Sequence, residues 1–200
     1  MNSNAVLIVV DVQNGFMSGG GLPVPHGDEV VSVINALAQK FANVVLTQDW
    51  HPAGHASFAS SHADKNPYDV IKMPYGEQVL WPDHCVQGTQ DAALHADLHI
   101  PHAQLIIRKG FHAGVDSYSA FQEADRTTST GLAAYLKARG LNEVHVCGLA
   151  TDFCVAWTAL DACCAGFNVT VHEEASRAID LNGSLEAAWA HMSAAGVQRL

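Results

Sequence analysis

The stretch Val144-His-Val-Cys-Gly-Leu-Ala-Thr-Asp-Phe-Cys-Val-Ala-Trp157 decides the reading of the fold. Its first residues, Glu143 to Cys147, suit a short buried strand. Gly148 opens a tight turn, and the Ala- and Leu-rich segment beyond reads as a helix from Phe153 to about Ala165, closed by Gly166. Asp152 or Thr151 is placed as N-cap, with its side-chain oxygen satisfying a first-turn N–H group. Cys154 then faces the positive end of the helix dipole. There the pKa of a thiol, about 8.5 when free, is expected to fall, and unpaired N–H groups can stabilise an oxyanion. Buried cysteines often only fill space, which is the reading for Cys147, Cys163 and Cys164. The strand-turn-helix setting marks Cys154 as the candidate nucleophile.

Outward from this stretch the chain alternates strands with helices. Ala5–Val10 is a continuous apolar run of the kind buried on both faces of a parallel sheet. Asp28 and Glu29 open a helix whose Val30, Val31, Ile34, Leu37, Ala38 and Phe41 recur at helical spacing, and Val44–Thr47 is the next strand. Further strands are expected at Leu105–Arg108, Phe167–Val171 and Val197–Leu200, with helices over Thr128–Arg139 and Ser184–Ala195. This order predicts an α/β fold, a three-layer sandwich around a mainly parallel, six-stranded doubly wound sheet, as one domain spanning residues 1–200. Residues 49–102 are irregular and interrupted by Pro52, Pro67, Pro74 and Pro82; a long unpatterned segment in a compact domain reads as a binding region.

Composition narrows the partners. Acidic residues number 20 against 10 basic ones, a formal charge of −10, which argues against nucleic acid and anionic membranes and leaves a small molecule as the expected partner. No apolar run approaches the ~20 residues of a membrane span, and the N-terminus lacks a secretory pattern, so a cytoplasmic address is expected. The five cysteines contain no C-x-x-C pair and fit reduced thiols. The oligomeric expectation is a monomer or a small homo-oligomer.

Ligands of doubly wound sheets bind outside the carboxyl ends of the strands. Asp11, Asp49, Lys109 and Cys154 each follow a different strand and should meet at that edge. Asp49 and His51, two residues apart in extended chain, point to the same side. With His84, stiffened by the nearby Pro82, they form a set suited to zinc, iron or manganese, among which the ligand types do not choose; His55 is a reserve ligand. No G-x-G-x-x-G follows the first strand, which excludes a dinucleotide site.

Five motifs in order, Asp11-Val-Gln-Asn-Gly-Phe16, Thr47-Gln-Asp-Trp-His-Pro52, Trp81-Pro-Asp-His-Cys85, Arg108-Lys-Gly110 and Gly148-Leu-Ala-Thr-Asp-Phe-Cys154, carry a resemblance along the whole chain. The sequence resembles the nicotinamidase/pyrazinamidase family of isochorismatase-like cysteine hydrolases. It departs at Gly15, where such proteins frequently have an acidic residue. The resemblance implies a catalytic triad of Asp11, Lys109 and Cys154, an oxyanion hole from the N–H groups of Ala150 and Cys154, and a cis peptide between Leu149 and Ala150. It implies one divalent metal on Asp49, His51 and His84, zinc or iron with manganese as a further option, which holds the substrate's ring nitrogen and activates water. Phe16, Leu22, Trp81, Tyr118 and Ala150 would wall a small aromatic ring. The implied reaction is hydrolysis of nicotinamide to nicotinate and ammonia, or of pyrazinamide, through a cysteine thioester in pyridine-nucleotide salvage. Two alternatives stand beside it: an amidase of the same superfamily for aliphatic or ureido amides, which generally lacks the metal ligands, and a non-catalytic ligand- or metal-binding module whose thiol is structural.

Overall fold

The structure, a computed structural model, describes residues 4–200. Its strands are β1 (Ala5–Val10), β2 (Val44–Asp49), β3 (Val70–Met73), β4 (Gly76–Val79), β5 (Leu105–Lys109), β6 (Glu143–Leu149), β7 (Asn168–Arg177) and β8 (Gln198–Arg199). The α-helices are α1 (Val30–Ala38), α2 (Leu132–Ala138), α3 (Ala156–Cys164) and α4 (Ser184–Ala194). Six strands form one sheet in the order β5-β2-β1-β6-β7-β8 with every pairing parallel; β3 and β4 make a separate antiparallel hairpin.

All six residues of β1 are buried, because the central strand is covered on both faces. Val6, Ile8 and Val10 point into a core completed by Leu132, Leu136 and Ala159 of α2 and α3 and by Met192 of α4. Leu7 and Val9 point the other way, into a core with Val30 and Ile34 of α1. The alternation of side chains along the strand therefore feeds two apolar layers, and the three-layer α/β expectation holds. Among the described residues no helix is long and apolar enough to cross a membrane.

Several element boundaries differ from the sequence reading. α2 begins at Leu132 rather than Thr128, because local side-chain bonds compete with the helix. Asp125 accepts the N–H groups of Thr127 and Thr128, and Thr130 donates to the carbonyl of Ala120 at 2.6 Å. β7 runs on to Arg177 through an irregularity in its pairing with β6 between Val146 and Gly148, which carries the chain to the ligand edge of the sheet. The hairpin of β3 and β4, inside the segment read as irregular, carried no clear alternation in sequence.

The register of the sheet aligns its carboxyl edge. Asp49 pairs with Lys109 across β2 and β5, and Val10, just before Asp11, pairs with Gly148 across β1 and β6. Gly148 has φ 120°, and a Cβ there would stand 2.1 Å from the carbonyl oxygen of Val10. Only glycine lets β6 approach β1 here, at the root of the turn that bears Cys154. Gly148→Ala is expected to destabilise the protein by about 2 kcal/mol or more, read as a lower midpoint in guanidinium denaturation. An unchanged midpoint would show that the close approach is dispensable.

Candidate active site

The centre of the carboxyl edge is a buried ammonium. Lys109, with no exposed surface, sets Nζ 2.8 Å from Asp11 Oδ2, 2.5 Å from Asp49 Oδ1, 3.0 Å from the carbonyl of Ser117 and 3.3 Å from Cys154 Sγ. Burial alone would strip the proton from a lysine. The two carboxylates outweigh it and hold the Lys109 pKa well above its usual value, so the group stays charged. Asp49 is pushed up by burial yet pulled well below the normal carboxylate range, first by Lys109 and then by His51.

Asp11 is different. Burial raises its pKa despite the ammonium, and the negative charge of Asp49 adds to the rise. Its backbone holds the left-handed conformation, φ 49°, which turns the chain out of β1. Thr47 secures it by donating Oγ1–H to Oδ1 at 2.6 Å and accepting the Asp11 N–H at 3.1 Å. Oδ2 is buried and, although close to Nζ, lacks a well-directed hydrogen bond. It is the oxygen of this pair free to take a proton.

Cys154 corrects part of the sequence reading. It lies in a π-type turn, Thr151–Val155, that precedes α3, so the regular helix starts three residues later than expected. No side chain caps this turn. The Asp152 carboxylate instead accepts the N–H groups of Ile179 and Asp180, at 3.0 and 2.7 Å, and the hydroxyl of Ser184 at 2.5 Å. It fastens the segment after β7 onto the turn. The thiol pKa is not lowered: burial pushes it well up, and Asp11 and Asp49 oppose the downward pull of Lys109. A thiol so placed must hand its proton to a base as it reacts. The Leu149–Ala150 peptide is cis.

Beside the ammonium lies a set of metal-ligand type. Asp49 Oδ2 is 3.5 Å from His51 Nε2 and 3.7 Å from His84 Nε2. The opposite ring nitrogens face carbonyl oxygens, His51 Nδ1 at 2.9 Å from Gly110 and His84 Nδ1 at 2.8 Å from Pro82. A carbonyl only accepts, so each Nδ1 carries a proton, and in the neutral ring that a metal requires Nε2 is the nitrogen left to bind it. Ligands bound about 2.1 Å from a tetrahedral ion stand about 3.4 Å apart, so the spacing suits a divalent cation. His55 is engaged elsewhere: its Nε2 faces the carbonyls of His112 and Val115, and its Nδ1 faces Ser57.

Above these groups opens a narrow cleft. Phe16, Leu22, Trp81, Tyr118, Ala150, Asp49, His84 and Cys154, all singled out from sequence, line it. Asp116, Phe153 and Ile179 line it too and were missed. Ile179 lies beyond the point where β7 was expected to end, and Phe153 was read only as the start of the helix. Gln78, on β4, donates to Asp116 Oδ2 at 2.7 Å and to the Tyr118 hydroxyl at 3.1 Å, and Trp81 Nε1 donates to the same hydroxyl at 2.9 Å. Gln13 went unnoticed as well. Its amide brackets Asp49, accepting the N–H at 2.7 Å and donating to the C=O at 2.9 Å.

The isochorismatase domain model matches residues 5–199. The chain belongs to the isochorismatase family. It is 62% identical over 198 residues to the nicotinamidase of Acinetobacter baylyi, covering 99% of this chain and 92% of that one. A nicotinamidase/pyrazinamidase structure from Acinetobacter baumanii superposes with a TM-score of 0.99 at 61% identity, covering 100% of this chain and 97% of the other. The L. infantum PnC1 structure, in complex with nicotinate, gives 0.87 at 41% identity over 100% and 93%. The pyrazinamidase of Pyrococcus horikoshii, in complex with zinc, gives 0.81 at 34% identity over 98% of each chain.

Because one ammonium compensates two buried carboxylates, Lys109→Met is expected to cost about 3–5 kcal/mol of stability in urea denaturation. A loss below about 1 kcal/mol would mean that the carboxylates are solvated or protonated without it.

Proposed function

We propose that this isochorismatase-family chain hydrolyses nicotinamide to nicotinate and ammonia, and pyrazinamide likewise, in pyridine-nucleotide salvage. The observation that carries this reading is the contact of Lys109 Nζ with Asp11, Asp49 and Cys154 at the floor of an aromatic cleft. The high identity to a nicotinamidase and the nicotinate-bound relative support the substrate. A cleft walled by Phe16, Trp81, Tyr118 and Phe153 suits a flat ring better than an aliphatic amide.

In this reading Asp11, Lys109 and Cys154 are the catalytic residues. The Cys154 sulfur attacks the amide carbon while its proton passes to Asp11 Oδ2, whose raised pKa makes it a competent base once ionised. Lys109 keeps a positive charge beside the sulfur throughout. The N–H groups of Ala150 and Cys154 receive the oxyanion, and Asp11 returns the proton to the departing ammonia, leaving a thioester. Water then attacks the thioester carbon, giving its proton to Asp11, and the carbon–sulfur bond breaks to release the acid and restore the thiol.

Asp49, His51 and His84 are the residues that would hold a divalent ion, zinc or iron with manganese as the further option, and it would supply a Lewis-acid position for the ring nitrogen. The zinc-bound relative supports zinc first. Five free cysteines suit a reducing, cytoplasmic setting.

Cys154→Ala is expected to lower ammonia release from nicotinamide by more than about 10⁴-fold with an unchanged circular dichroism spectrum. Turnover within about tenfold of wild type would remove the thioester from the mechanism. Metal removal by chelator dialysis should weaken nicotinamide binding to the Cys154→Ala protein about tenfold or more, measured by calorimetry. An unchanged affinity would separate the histidines from ring recognition.

A further inference from the structure

Position 15 is a glycine whose backbone does not require one: its φ is not positive. Space requires it. A Cβ there would stand 2.6 Å from Asp91 Oδ2 and 2.8 Å from Cys85 Sγ, so the carboxylate of Asp91 fills the volume that a side chain at position 15 would take. That carboxylate is bound at both ends: Oδ2 accepts the N–H of Cys85 at 2.6 Å, and Oδ1 accepts the N–H of Gly21 at 2.9 Å.

The two amides belong to the walls of the site. Cys85 follows His84, and its carbonyl accepts the N–H of His51 at 3.1 Å; Gly21 precedes Leu22, whose N–H donates to the carbonyl of Gly15 at 2.9 Å. Main-chain bonds run beside this clasp, from Gly15 N–H to the Asp91 carbonyl at 2.8 Å and from Asn14 N–H to the Ala93 carbonyl at 3.0 Å. They join the first loop to residues 91–93 but leave the Cys85 and Gly21 amides to the side chain. A carboxylate has two acceptor oxygens for these two donors. An amide has one, and would turn an NH₂ donor against the other N–H.

We propose that Asp91 is a positioning residue for the reaction inferred above, clasping the loop that bears Phe16 and Leu22 to the segment that bears His84, and that a carboxylate supplied from position 15 can take its place. The inference rests on that functional reading for its kinetic arm and on geometry alone for its metal arm.

The test compares wild type with Asp91→Ala, Asp91→Asn, Gly15→Asp and the double variant Gly15→Asp/Asp91→Ala. Zinc retention is titrated against a chromophoric chelator, and kcat and KM are measured on nicotinamide. Asp91→Ala and Asp91→Asn are each expected to loosen zinc and raise KM about tenfold, with kcat within about threefold of wild type. Gly15→Asp alone should be impaired in both, because two carboxylates compete for one space. The double variant should return to within about threefold of wild type.

Wild-type behaviour of Asp91→Asn would reduce Asp91 to a space filler and overturn the proposal. A double variant no better than Asp91→Ala would overturn it too. If Asp91→Ala fails to fold, the double variant decides: recovery of a folded, zinc-retaining protein supports the clasp, and failure rejects it. Wild type that retains zinc but does not turn over nicotinamide would sink the functional reading, and the zinc titrations would still judge the clasp.

Discussion

Two carboxylates and a thiol share one buried ammonium. Taking charges out of water costs several kcal/mol each, and an isolated lysine at this depth would lose its proton. Here Asp11 and Asp49 lie within 2.8 Å of Nζ, and the lysine's pKa rises instead. The balance holds only while all three groups stay in place, which makes the sheet register a chemical requirement. Lys109 pairs with Asp49 between neighbouring strands, and Asp11 leaves the next strand in a left-handed turn pinned by Thr47.

The same charges divide the labour between the two carboxylates. Asp49 feels Lys109 through one oxygen and the imidazoles through the other, and its proton affinity collapses. Asp11 has the ammonium on one side, a threonine hydroxyl on the other and Asp49 nearby, and its affinity rises. Two like groups a few ångströms apart are thereby pushed in opposite directions. One is fixed as an anion suited to a cation, and the other is left able to accept and return a proton.

Much of this was legible in the sequence because it depends on position along strands. Continuous apolar runs gave away the parallel sheet, and the rule that ligands gather at its carboxyl edge brought Asp11, Asp49, Lys109 and Cys154 together. The illegible parts depend on which way a polar side chain turns. Asp152 looked like a helix cap, yet three donors from residues 179–184 lie on its other side and win it. The thiol of Cys154 was expected to acidify at a helix end; burial and two neighbouring anions reverse the sign. Gln13 and Gln78 act by bracketing other groups, and no periodicity marks such a glutamine.

The charge of the centre bears on the cation. Asp11, Asp49 and Lys109 sum to one negative charge in a buried setting, and passing the Cys154 proton to Asp11 moves that charge toward the sulfur without changing the sum. Lys109 has no further proton to offer, since its three go to Asp49, the Ser117 carbonyl and Cys154. A divalent ion on Asp49, His51 and His84 would turn the sum to one positive charge beside the sulfur at the moment it is most negative. As metal ligands the histidines would be neutral, with the proton on the Nδ1 that each carbonyl holds, so they would add ligands without adding charge. On the mechanism proposed above, such a cation would be an electrostatic counterpart of the sulfur as well as a place for the ring.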